Sequence, residues 1–96
     1  MHSALDLNHF TVSDWKAINR NTLMGSLSLT LPSGLVIHNC LFHQKGDSRW
    51  IQLPSQSYQL NGEKKYTKIL EFETKEAHAR FQRAALDAVD AAGVRA

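Results

Sequence analysis

This chain of 96 residues has one cysteine, Cys40, and two prolines, Pro32 and Pro54. A lone cysteine excludes an internal disulfide, and with it the stapled framework of small secreted domains, so a reducing compartment is expected. The opening MHSALDLNHF lacks a basic stretch followed by an apolar core, which argues against a secretory leader and for a cytoplasmic setting. No uncharged run is apolar enough to span a membrane: the longest, Asn21 to Gln44, is broken by serines, threonines, an asparagine and a proline. Neither sign of charge predominates, with eleven Lys and Arg against nine Asp and Glu, so a polybasic footprint is absent. Catalytic signatures are missing as well. There is no phosphate-binding glycine loop, no dinucleotide fingerprint and no paired-carboxylate motif, so neither an enzyme nor a cofactor is expected.

Hydrophobic content of 43% and charged content of 21% suit a globular protein. The length fits one domain, residues 1–96, with a modest core. Met1 to Asn8 shows no period and reads as a flexible arm. From Phe10 the pattern alternates. Phe10, Val12, Asp14 and Lys16 oppose Thr11, Ser13, Trp15 and Ala17, and then Leu27, Leu29 and Leu31 point inward while Ser26, Ser28 and Thr30 face water. Pro32-Ser33-Gly34 reverses the chain into Leu35–Phe42, with Ile37 and Asn39 on one face and His38, Cys40 and Phe42 on the other. Lys45-Gly46-Asp47-Ser48 turns it again into Arg49–Leu53, which Pro54 stops.

Ser55 to Lys64 is a polar loop or hairpin tip around Asn61-Gly62, and Lys65 to Phe72 resumes as a strand. Thr74 then caps a helix over about 75–92, whose stripe of Ala77, Phe81, Ala84, Ala85, Ala88 and Ala92 ends before Gly93. The expected fold is α+β: an antiparallel sheet of about five short strands and one C-terminal helix packed on it. Such a sheet has an open edge, and Leu86 lies at the margin of the helix stripe. A homodimer covering both is expected.

Two groups of residues suggest chemistry. His38, Cys40 and His43 form H-x-C-x₂-H, but structural zinc takes four ligands and no second pair exists, so Cys40 reads as a core thiol and no metal is expected. Arg49-Trp50 and Lys64-Lys65-Tyr66-Thr67-Lys68 set aromatics among cations. With Trp15, Lys16 and Arg20 they would form a groove that stacks bases and neutralises phosphates. The bland alternative is that Trp and Tyr are half-buried core residues and the cations are solvated edge protection. Charge supports the binding sense, because the acids Glu71, Glu73, Glu76, Asp87 and Asp90 all fall after Leu70 and leave the strands basic.

The succession Val36-Ile37-His38-Asn39, a turn with Gly46, Trp50-Ile51-Gln52-Leu53-Pro54-Ser55, a polar loop, a strand, and a helix bearing Arg80, Phe81-Gln82 and Ala85 resembles the SpoVG-type septation and sporulation regulators. It covers about the last two-thirds of the chain. The resemblance implies a small antiparallel sheet with a helix, a homodimer made partly by strand pairing, and a bacterial DNA-binding regulator. The helix departs from that family in ending Asp87-Ala88-Val89-Asp90, acidic where the family is basic. The order of sheet then helix is also similar, in architecture only, to coactivator-type and Whirly-type single-stranded-DNA-binding platforms. The expected function is therefore that of a small bacterial or phage regulator binding nucleic acid, single-stranded DNA or RNA, with single-stranded DNA favoured. The alternative is a non-enzymatic protein-interaction module of a mobile element. Neither reading calls for a small-molecule substrate.

Overall fold

The computed structural model describes residues 9–94, so the arm expected at 1–8 lies outside the described residues. Six strands and one helix succeed one another in chain order: β1 Thr11–Arg20, β2 Leu23–Thr30, β3 Val36–Lys45, β4 Ser48–Gln52, β5 Ser55–Leu60, β6 Glu63–Lys68 and α1 Lys75–Ala92. The α+β architecture is as expected, but the strands divide into two antiparallel sheets, a meander β1-β2-β3-β4 and a separate hairpin β5-β6. The last strand ends at Lys68 rather than Phe72, because Phe72 leaves the ladder to pack on the core beside Phe81, ring centres 5.0 Å apart.

Asparagine and aspartate shape the meander. Every non-glycine described residue with positive φ is one of them: Asp14, Asn19, Asn21, Asn39 and Asn61. Their short polar side chains tolerate the left-handed region that β-branched residues resist. Asn21 and Asn61 sit in turns, whereas Asp14, Asn19 and Asn39 sit inside strands, each within a break in pairing register. An extra residue at a bulge transfers the residues beyond it to the other face.

Two expectations are thereby corrected. The break between Ser13 and Lys16 turns Trp15 inward with Val12, and the one at Asn39 puts Ile37 on the same inner face as Cys40 and Phe42. His38 stays on the outer face, so His38 and Cys40 cannot reach one metal ion.

The core lies between the meander's inner face and the helix. Leu27, Leu29, Ile37, Cys40, Phe42 and Ile51 face Phe81, Ala85 and Val89. Burying one Phe or Leu there contributes roughly 1.5–3 kcal/mol, so Phe81, wedged against Phe10 and Phe72, anchors the helix. The helix bounds match the sequence expectation. Thr74 Oγ1 accepts from the Ala77 amide at 3.0 Å, and Gly93 takes φ 66° while its N–H reaches the Asp90 carbonyl at 3.2 Å. Leu86 is half-buried and packed against the core, which removes it as a ground for dimerisation. Ser28, expected to face water, lies on the outer face yet is buried, hydrogen-bonded to Asp14 Oδ2 at 3.2 Å and His38 Nδ1 at 2.9 Å. Its single proton goes to the carboxylate, so its oxygen accepts from His38.

Cys40 is fully buried, and burial pushes its thiol up to about 11. The thiolate is the reactive form, so native protein at neutral pH should be alkylated many-fold more slowly than denatured protein. A rate equal to that of an unfolded control would show the thiol to be reachable.

Candidate nucleic-acid interface

The nine cationic and aromatic residues expected to form one groove occupy four places. Pairing register sets two rows on the outer face of the meander: Arg20, Leu23, His43 and Trp50 in one, Lys16, Ser26, Leu41 and Gln52 in the next. Lys16 and Arg20 thus share a face with Trp50, but three strand spacings, about 14 Å, separate them. Trp15 is on the inner face, its ring 6.4 Å from Phe42 and packed over Gly25. It is part of the core and is no stacking surface.

Arg49 also points inward. Its guanidinium holds Asp90 of the helix through two bonds, Nη1 to Oδ1 at 2.7 Å and Nη2 to Oδ2 at 3.2 Å. This bidentate geometry consumes the fork that a phosphate would need. The acidic helix end is explained by the same pair: Asp90 lies where β4 presents its arginine. The hydrogen bond raises the Arg49 pKa and lowers that of Asp90. Because the Asp90 carboxyl is depressed, the pair's contribution is present above the usual carboxylate range and is lost as pH falls through and below it. Exposure keeps that contribution small, roughly 0.2–1 kcal/mol.

Trp50 is on the surface, 37% exposed, which answers the core alternative for this residue. One face of its indole is taken. His43 stacks on it at 5.1 Å with planes 4° apart, and His43 is fixed by Thr22 Oγ1 at 3.0 Å and Gln52 Oε1 at 2.9 Å. The pair makes a rigid ledge at the β4 edge, a feature invisible without the register that brings His43 opposite Trp50.

The remaining four residues lie on the hairpin, where every side chain of β5 and β6 is exposed. Asn61-Gly62, with φ of 54° and 79°, forms the two-residue turn that matches strand twist. The register then sorts the faces. Ser55 with Lys68, Ser57 with Tyr66 and Gln59 with Lys64 share one; Gln56 with Thr67, Tyr58 with Lys65 and Leu60 with Glu63 share the other. The first face holds Lys64, Tyr66 and Lys68 and no carboxylate. The Lys64 ammonium lies 5.6 Å from the Tyr66 ring centre, a cation–π distance. Lys65 is on the second face, 3.9 Å from Glu63, with Tyr58. Tyr58 did not figure in the sequence expectation. Only the alternation through Ser57 and Gln59 could have indicated it.

Chemically, the described residues offer stacking surfaces and cations. No group of three or more His, Cys, Asp or Glu among them is placed to hold a metal ion, and none of the helices described is long and apolar enough to cross a membrane. No protein-family model, curated protein or solved structure matches the chain.

Proposed function

We propose that this protein is a small regulator of the SpoVG type, binding single-stranded nucleic acid weakly and with little sequence preference through the Lys64–Tyr66–Lys68 face of the hairpin. The supporting observation is that face itself, one exposed aromatic between two lysines, with only Ser55, Ser57 and Gln59 opposite. Residues two apart on a strand are about 6.8 Å apart, close to two rises of a stacked single strand, so both ammonium groups can meet phosphates flanking a base on Tyr66. Stacking on an aromatic contributes roughly 1–3 kcal/mol per base and accepts any base, which accounts for weak sequence preference. Lys16, Arg20 and the Trp50–His43 ledge lie on another surface. They would extend contact along a longer strand without belonging to the same site.

The test is salt-dependent titration of a fluorescent oligonucleotide. Each phosphate neutralised on a single strand contributes about −0.7 to the slope of log affinity against log salt, so Lys64→Gln with Lys68→Gln should flatten that slope by about 1.4. Tyr66→Ala should cost about 1–3 kcal/mol of affinity with melting temperature unchanged. Lys65→Gln, on the other face beside Glu63, should change the slope little. Absence of binding to single-stranded oligonucleotides at low salt would refute the proposal.

A further inference from the structure

A strand following the hairpin face from Lys64 past Tyr66 to Lys68 meets more than that face. Tyr66 and Lys68 also line an open groove of about 740 Å³ at the hairpin's base, within the roughly 300–1,000 Å³ typical of small-ligand sites. Its apolar lining comes from two segments, Ile51, Leu53 and Pro54 at the end of β4, and Leu70 and Phe72 in the connection to α1. Charge then limits what enters. Lys68 and Lys75 are matched around the groove by Glu71 and Glu73, so it has no net charge with which to hold a phosphate. An apolar slot of this kind suits a neutral planar ring.

The groove also carries a donor of defined tautomer. Gln82 is fixed in orientation, because its Nε2 donates to the Ile51 carbonyl and its Oε1 accepts from the Ile51 amide, both at 2.8 Å. Where that nitrogen meets His78 Nε2 at 3.4 Å, Gln82 is therefore the donor and the imidazole the acceptor. Neutral His78 then has its proton on Nδ1, which places an N–H donor on a residue of the groove's lining. Thymine, uracil, cytosine and guanine offer an exocyclic oxygen to such a donor, and adenine has none.

We propose that the groove is a base pocket: it takes the nucleotide next to the one stacked on Tyr66, with His78 bonding a carbonyl oxygen of that base. The recognised unit is then two adjacent unpaired bases. This rests on the nucleic-acid reading of the Lys64–Tyr66–Lys68 face and adds to it a second subsite with a chemical preference. A base in a duplex must first give up its partner to enter, so the pocket also ranks single strands above duplex.

The experiment is an anisotropy titration at low salt with a deoxythymidine tetranucleotide and with the same backbone made abasic at every second position. The abasic strand keeps its phosphates, but no register puts one base on Tyr66 and its neighbour in the groove. It should bind roughly 5- to 150-fold more weakly, the worth of one stacked base. Leu70→Cys carrying a bulky maleimide, with Cys40 unreactive, should bring the intact strand down to the abasic level while salt slope and melting temperature stay unchanged. His78→Phe should shrink the ratio of deoxythymidine to deoxyadenosine affinity by roughly 2- to 12-fold, the worth of one hydrogen bond. An unchanged ratio would overturn the role given to His78. Binding that depends on Tyr66 yet is equally tight for the intact and abasic strands would overturn the pocket alone, whereas no binding of either strand would overturn the hairpin reading together with it.

Discussion

Gly25→Ala is expected to destabilise the protein by about 2–3 kcal/mol, which for a domain of this size lowers the melting temperature by roughly 10–20 °C. Gly25 is buried in β2, opposite Phe42 of β3 and Ala17 of β1. A Cβ built there would lie 2.5 Å from the Lys16 carbonyl oxygen and 2.5 Å from the Trp15 ring. Neither neighbour can yield cheaply. The carbonyl is backbone, and the indole is held against Phe42 by the break that turned it inward. Calorimetry on Gly25→Ala, on Trp15→Ala and on the double variant separates the two contacts. Removing the ring relieves only its own clash, so the double variant should be less destabilised than the sum of the singles, yet remain below Trp15→Ala alone. An unchanged melting temperature for Gly25→Ala would mean that the indole does not occupy this position.

The same residues show what could be read from sequence and what could not. The helix was legible because its signals are local: a Thr cap, an alanine stripe with Phe81, and a terminal glycine. Leu27 and Leu29 were legible because alternation holds along their strand. Alternation misplaces Trp15 and Ile37, because one inserted residue reverses the face of those beyond it and the period alone does not reveal the insertion. A signal was present nevertheless. Asp14, Asn19 and Asn39 lie inside strands, and an Asx residue within a strand is where positive φ is tolerated.

The candidate interface was legible as a composition of aromatics and cations but not as a place. Whether Arg49 faces a phosphate or Asp90, 41 residues later, depends on how the helix crosses β4, and no local pattern contains that. Lys64, Tyr66 and Lys68 could be grouped because they alternate on a single strand.

Gln82 carries the second large effect. Its side-chain oxygen accepts from the Ile51 amide and its nitrogen donates to the Ile51 carbonyl, both at 2.8 Å, so one side chain stands in for a missing neighbouring strand. Ile51 is 3% exposed, and water cannot fully replace that partner. Gln82→Leu retains much of the bulk and removes both bonds. Each orphaned group costs about 1–3 kcal/mol, so a loss of about 2–4 kcal/mol is expected, together with faster hydrogen exchange at the Ile51 amide.

Gln82→Glu makes the loss depend on pH. As a carboxylate it still accepts from the amide but sets a charged oxygen against the Ile51 carbonyl, which raises its folded pKa above the unfolded value. A group with a raised folded pKa supports the fold below its unfolded pKa and loses that support as pH rises through the folded one. The deficit of this variant should therefore be largest at neutral pH, shrink as pH falls through the raised folded pKa, and be smallest below the ordinary glutamate value of about 4.3, where a protonated carboxyl can again donate. His78, whose Nε2 is 3.4 Å from the Gln82 nitrogen, would favour the carboxylate once protonated, so the recovery should be fuller with His78→Ala. Thermal melts of both variants from pH 4 to 8 decide the matter. If Gln82→Leu is as stable as the wild type, or the glutamate deficit is flat with pH, Gln82 is not what closes the β4 edge.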